Sequence, residues 1–198
     1  MQVPWITYEA NRFLNYIIKP TMRVFEWGAG ASTLYFCKHA ASVVSIENDK
    51  VWLGNVAQNL RSLGLTNCEL HLIEAEAGRI TVNKDPYWPD NFFQPDVKNE
   101  FINSNFRHYA CAIDRFPDEH FDIVMVDGVA RGGCMKHAAP KLKTGGYLIW
   151  DNSDRLYDNK YTVGLFREWD RVVFWGYGPI NDYKWETTIW RKLKEKMP

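Results

Sequence analysis

"VFEWGAGAST", Val24 to Thr33, carries an apolar run into a carboxylate and then into two glycines one residue apart. The run reads as a β-strand ending near Trp27, a turn through Gly28 and Gly30, and a helix opening at Ser32. Such a turn lays the positive N-terminal end of a helix against a nucleotide-like ligand held at the strand's carboxyl end. Which ligand would accept Glu26 at that place is the question the rest of the chain has to answer.

Helix and strand patterns alternate outward from this turn. Tyr8 to Ile18 places Phe13, Leu14, Ile17 and Ile18 at helical spacing and stops before Pro20. "SVVSIE" (Ser42 to Glu47) is β-branched and strand-like, Val51 to Leu63 is helical and closed by Gly64, and "ELHLI" (Glu69 to Ile73) is a third strand. Then come "FDIVMVD" (Phe121 to Asp127), a helix near Gly133 to Leu142, "GGYLIWD" (Gly145 to Asp151) and a helix around Val163 to Trp169. "RVVFWGYG" and "WETTIWRK" close the chain as strands, and "GPINDY" between them leaves no room for a helix, so they pair antiparallel. The expectation is one α/β domain over residues 1–198, a mostly parallel sheet with helices on both faces.

Bulk composition narrows the partners. Lys plus Arg number 24 and Asp plus Glu number 24, so no global field recruits nucleic acid or an anionic membrane. No apolar run reaches the ~18 residues of a membrane span, and the start lacks a basic-then-apolar leader, which gives a cytoplasmic reading. Cys37, Cys68, Cys111 and Cys134 lie far apart in apolar contexts and read as buried, reduced thiols. His108 and His137 sit in helical surroundings and read as surface or packing residues. G-x-S-x-G, Walker A, H-E-x-x-H and zinc-finger spacings are all missing, leaving hydrolase and nucleotide-triphosphatase chemistry without support.

Glu26 discriminates among nucleotide ligands. A dinucleotide site wants G-x-G-x-x-G, and here the third glycine position is Thr33. A carboxylate two residues before the first glycine would repel a pyrophosphate, which counts against an NAD-dependent oxidoreductase. S-adenosylmethionine (SAM) has an ammonium group and no phosphate, so Glu26 suits it. Glu47, ending the next strand, is placed to accept hydrogen bonds from both ribose hydroxyls, a role common to NAD and SAM sites. Trp52, one turn into the following helix, is placed to pack beside the adenosine or within the core.

On "FEWGAGAST", "VVSIENDKVW", "FDIVMVDGVAR" and "LKTGGYLIWDNSDR", in that order, the chain resembles the class I SAM-dependent methyltransferases over nearly its whole length. The resemblance implies a Rossmann-like, doubly wound seven-stranded sheet of order 3-2-1-4-5-7-6 with strand 7 antiparallel. It implies that Glu26, Gly28 and Gly30 hold the methionine end and Glu47 the ribose, with Ser32 and Asn48 also among the cofactor-binding residues. An acidic residue after strand 3 would meet the adenine amino group, and Glu74 and Glu76 both qualify.

Asp127 ends strand 4 and Asp151–Asn152 ends strand 5, neighbours in that order, so their tips converge ~4.8 Å apart. Two carboxylates and an amide oxygen suit Mg²⁺ or another hard divalent cation. This is similar to catechol and caffeoyl-CoA O-methyltransferases, in which such a metal activates the acceptor hydroxyl. The pattern departs from theirs where a Lys is expected, at Ala130, with Arg131 following. In the metal-free alternative, Asp127 orients the methionine, Asp151 is general base or binds an acceptor cation, and Arg131 holds an anionic acceptor or pairs with Asp127. A third alternative is that Asp151–Asn152 caps a turn.

The segment from about 76 to 105 interleaves Pro86, Pro89 and Pro95 with Tyr87, Trp88, Phe92 and Phe93, and reads as a substrate lid or a loop folded back on the domain. The expected function is SAM-dependent methyl transfer to the hydroxyl of a small-molecule acceptor, with no nucleic-acid or membrane partner and a homodimer left open. The alternatives are metal-free N-methyl transfer and a SAM-binding protein without transfer activity.

Overall fold

Period-two burial along the strands decides the layering. The computed structural model describes residues 3–77, 104–155 and 164–194. In β1 (Arg23–Trp27) and β2 (Ser42–Glu47), Phe25, Trp27, Val44 and Ile46 enter one core while Val24 and Val43 enter the other. β6 (Phe121–Val126) and β7 (Leu142–Asp151) divide likewise, with Val124, Val126, Leu148 and Trp150 on the first side and Ile123, Met125 and Ile149 on the second. A sheet apolar on both faces has to be covered twice. α1 (Tyr8–Ile17), α2 (Ala31–His39) and α3 (Lys50–Ser62) pack on the second face. α4 (Arg107–Ala110), a 3₁₀ turn over Cys111–Arg115 and α5 (Arg131–Lys141) pack on the first. Phe25 and Trp27 are fully buried, and each such side chain contributes about 1.5–3 kcal/mol.

With β3 (Cys68–Leu72), β8 (Asp170–Gly176) and β9 (Trp185–Arg191), the sheet runs β3-β2-β1-β6-β7-β9-β8. Its first five strands are parallel, while β9 runs antiparallel to both β7 and β8. Counted along the chain, the seven are in the order 3-2-1-4-5-7-6 with the seventh reversed, as expected. A two-stranded ribbon of β4 (Glu76–Ala77) and β5 (Ser104–Asn105) flanks it. Among the described residues, no helix is long and apolar enough to cross a membrane.

Three local expectations need correction. α5 starts at Arg131 rather than Gly133 and accommodates Pro140 in its last turn, and β7 begins at Leu142 rather than Gly145. Of the helix expected around Val163 to Trp169, Val163 lies outside the described residues, 164–165 are helical, and 166–169 turn away and wedge Phe166 against Trp169 and Trp190. Cys37 and Cys134 are buried thiols, but Cys68 and Cys111 are partly exposed. The proline- and aromatic-rich heart of the expected lid, residues 78–103, lies outside the described residues.

Candidate functional site

The strand order reverses between β1 and β6, and a cleft of about 430 Å³ opens at the carboxyl ends of the strands there. Gly28 makes the approach between the two strands. Its φ is +90°, and a Cβ would stand 2.8 Å from the Asp127–Gly128 backbone, so no other residue fits. Gly30 differs. Its backbone is extended and a Cβ would meet only the Trp52 ring, at 3.9 Å. Its missing side chain keeps the cleft open rather than the chain unstrained. The Gly30 N–H donates to Thr33 Oγ1 at 2.9 Å, which fixes the first turn of α2.

Glu26 does not reach the cleft. As the fourth residue of β1 it shares a face with Val24, and it lies fully buried beneath the first turn of α2. Ser32 Oγ donates to one of its oxygens at 2.7 Å and Ser45 Oγ to the other at 2.8 Å. Burial pushes its carboxyl up to about 7 against the pull of these hydroxyls. Ser32, which lines the cleft, is its only contact of this kind with the cleft wall.

Glu47 is on the wall itself. Its Oε1 accepts the backbone N–H groups of Asn48 and Asp49, both at 2.8 Å. Burial raises its carboxyl, and those N–H groups oppose the rise. Trp52 donates from Nε1 to the Ala29 carbonyl at 2.6 Å and lines the cleft beside Asn48. Trp5 packs against it with ring centroids 5.8 Å apart.

Arg131 organises the far wall. Its Nε donates to the Gly128 carbonyl at 2.8 Å, and Nη1 to Asn152 Oδ1 at 3.2 Å and to the Asp151 carbonyl. Nη2 faces the Asp127 carbonyl and Oδ1, both at 3.3 Å. The guanidinium therefore sits among the tips of β6 and β7, engaged on every nitrogen, and is not on the cleft surface. Ala130 and Asn152, on either side of it, have φ of +50° and +51°, strain held by the packing around them. Asp151 turns Oδ1 toward Trp185 Nε1 (2.9 Å) and Thr187 Oγ1 (2.6 Å), both on β9.

The structure gives no support to the sequence-based cation set of Asp127, Asp151 and Asn152. Asp127 Oδ1 and Asn152 Oδ1 already accept from Arg131, and Asp151 Oδ1 points to β9. Burial and the neighbouring Asp151 carboxyl still raise Asp127, with Arg131 opposing, and burial raises Asp151.

Asp127, Asp151, Asn152, Glu47, Asn48, Trp52, Ser32 and both glycines thus meet around one cleft, whereas Glu26 and Arg131 stand behind its walls. Neither candidate for the adenine reaches it. Glu74 is exposed, and Glu76 accepts the His108 N–H at 2.8 Å. Sequence reasoning missed Trp5, Arg155, Ile180, Asn181 and Tyr183, which complete the rim. They come from the N-terminal segment, the end of β7 and the β8–β9 connection, joined by contacts such as the Tyr8 N–H to the Tyr177 carbonyl at 2.8 Å. No local pattern announces them.

No protein-family model and no curated protein matches the chain. Solved structures do. An rRNA methylase from Streptococcus thermophilus superposes with a TM-score of 0.62 at 16% identity, over 94% of this chain and 96% of that one. A SAM-dependent O-methyltransferase from Thermotoga maritima gives 0.60 at 13%, over 100% and 70%. A proposed methyltransferase from Streptococcus mutans, solved with S-adenosylhomocysteine (SAH), gives 0.58 at 12%, over 92% and 95%. The fold is the Rossmann-like fold of class I methyltransferases.

Proposed function

We propose that the chain is a SAM-dependent methyltransferase acting on an oxygen of a small-molecule acceptor. The observation that carries this is the charge of the cleft. Three carboxyl groups, Glu47, Asp127 and Asp151, line it against one guanidinium, that of Arg155 at the rim, while Glu26 lies beneath it and Arg131 is committed to the strand tips. A pyrophosphate would be repelled there. An ammonium or sulfonium cation is favoured.

In this reading the glycine turn and Ser32 hold the amino-acid end, with Glu26 positioning Ser32 from below, and Asp127 pairs with the ammonium. Glu47 accepts the ribose hydroxyls, and Asn48 and Trp52 flank the nucleoside. SAM supplies a methyl group on a positively charged sulfur, which leaves as a neutral thioether without acid assistance. The chain's part is to align the acceptor oxygen and keep water away. Asp151, held rigid through Trp185 and Thr187 and raised by burial, takes the acceptor's hydroxyl proton. The balanced charge of the chain favours a small acceptor over a nucleic acid.

Calorimetry with SAH and NADH tests the reading. Micromolar SAH binding with none for NADH is expected. NADH binding, or no SAH binding, would overturn it. Asp151→Asn should retain SAH affinity within about twofold while methyl transfer to phenolic and alcoholic acceptors is lost.

A further inference from the structure

Where α5 packs against the 3₁₀ turn, three side chains with different donor atoms converge. Cys111 and Asp114 are three residues apart on the 3₁₀ turn, the spacing at which side chains eclipse and share a face. His137 of α5 meets both. Its Nε2 lies 3.6 Å from Cys111 Sγ and its Nδ1 2.8 Å from Asp114 Oδ2. One ligand atom from each of the three residues falls within 4.8 Å of the others, the only such group of three among the described residues. Both elements are anchored in the core, through Ile113 on one side and Cys134 and Ala138 on the other, all at 0% exposure.

We propose that Cys111, Asp114 and His137 bind a divalent transition metal of the zinc type, with a further coordination position open to solvent. A tetrahedral zinc, with Zn–S about 2.3 Å and Zn–N about 2.0 Å, sets sulfur and nitrogen about 3.6 Å apart. That is the separation already present between Cys111 and His137. Asp114 has 44% of its side chain exposed, so its carboxylate is free to swing the short distance from Nδ1 to the metal. Thiolate, imidazole and carboxylate together select a borderline metal over Mg²⁺ or Ca²⁺. His137 is only 21% exposed, and Cys111 is partly covered, so the site is shielded but reachable. Binding exchanges the Cys111 thiol proton for the metal. That exchange makes binding weaken as pH falls. The site is separate from the cleft and does not depend on the methyl-transfer reading.

The test uses chelator-stripped protein titrated with zinc against a chromophoric zinc chelator, and in parallel with cobalt. One equivalent of zinc is expected, with affinity reduced at least tenfold in Cys111→Ser and in His137→Gln but unchanged in Cys68→Ser. Cobalt should produce a thiolate-to-metal charge-transfer band that Cys111→Ser abolishes. Absence of that band in the wild type, which needs no variant to fold, would overturn the proposal. So would zinc binding of equal strength in Cys111→Ser. SAH affinity should be the same with and without zinc.

Discussion

Arg131, opening α5, and Asp127, just beyond the last residue of β6, form an ion pair with Nη2 3.3 Å from Oδ1. The same guanidinium reaches the Asp151 carbonyl and Asn152 Oδ1, so one side chain fastens two adjacent strands at the cleft. Removing it would leave buried carbonyls and a buried carboxylate unpaired. Arg131→Met is expected to lose about 3–5 kcal/mol in urea denaturation and to weaken SAH binding. Arg131→Lys should fall between, because an ammonium keeps the charge but not the fork. A variant as stable as wild type would contradict the fastening role.

In the metal-free reading, with Arg131 engaging Asp127 Oδ1 and Asn152 Oδ1, EDTA should leave the rate of methyl transfer unchanged. Inhibition by EDTA that Mg²⁺ reverses would restore the metal-dependent mechanism.

Glu26 should make the protein less stable as pH rises. Its carboxyl has a folded value of about 7 against an ordinary 4.5, so the folded state holds this proton more tightly than the unfolded chain. The stabilisation is complete below pH 4.5 and is lost by about pH 7, a change on the order of 3 kcal/mol. Asp127 and Asp151 are raised too and act in the same direction. Glu26→Gln, which cannot ionise, should gain on wild type between pH 5 and pH 8 in denaturation midpoints. Parallel pH curves for the two would show that folding does not raise the Glu26 carboxyl.

Gly28 and Gly30 should fail in different ways. Gly28→Ala combines a positive φ with a backbone collision and should unfold at markedly lower temperature. Gly30→Ala meets only ordinary contact with Trp52, so its melting should stay near wild type while SAH affinity falls, the added methyl projecting toward the cleft. Equal melting losses in the two would mean that both glycines serve only the turn.

Much of this was legible because it is local. Alternating burial, the helix stops and the glycine turn give β1, α2, β2 and the antiparallel β8–β9 hairpin within a few residues of where they lie. They also set Gly28, Glu47, Asp127 and Asp151 at strand ends. Direction at those ends was not legible. A strand offers two faces, and Glu26 falls on the α2 face because Ser45, 19 residues away, and Ser32 meet it there.

The chain by itself determined the strands, the closing hairpin and the carboxyl groups at the strand ends, since period-two and helical spacing are short-range properties, while the strand order came as an implication of the family resemblance. Only the tertiary structure decided that Glu26 and Arg131 work from behind the cleft, that Trp5 and Tyr183 close its rim, and that Cys111 faces His137. Those outcomes depend on packing between elements 20 to 180 residues apart, as in Arg131 to Asp151 and Thr7 to Thr187, and no local pattern encodes such contacts.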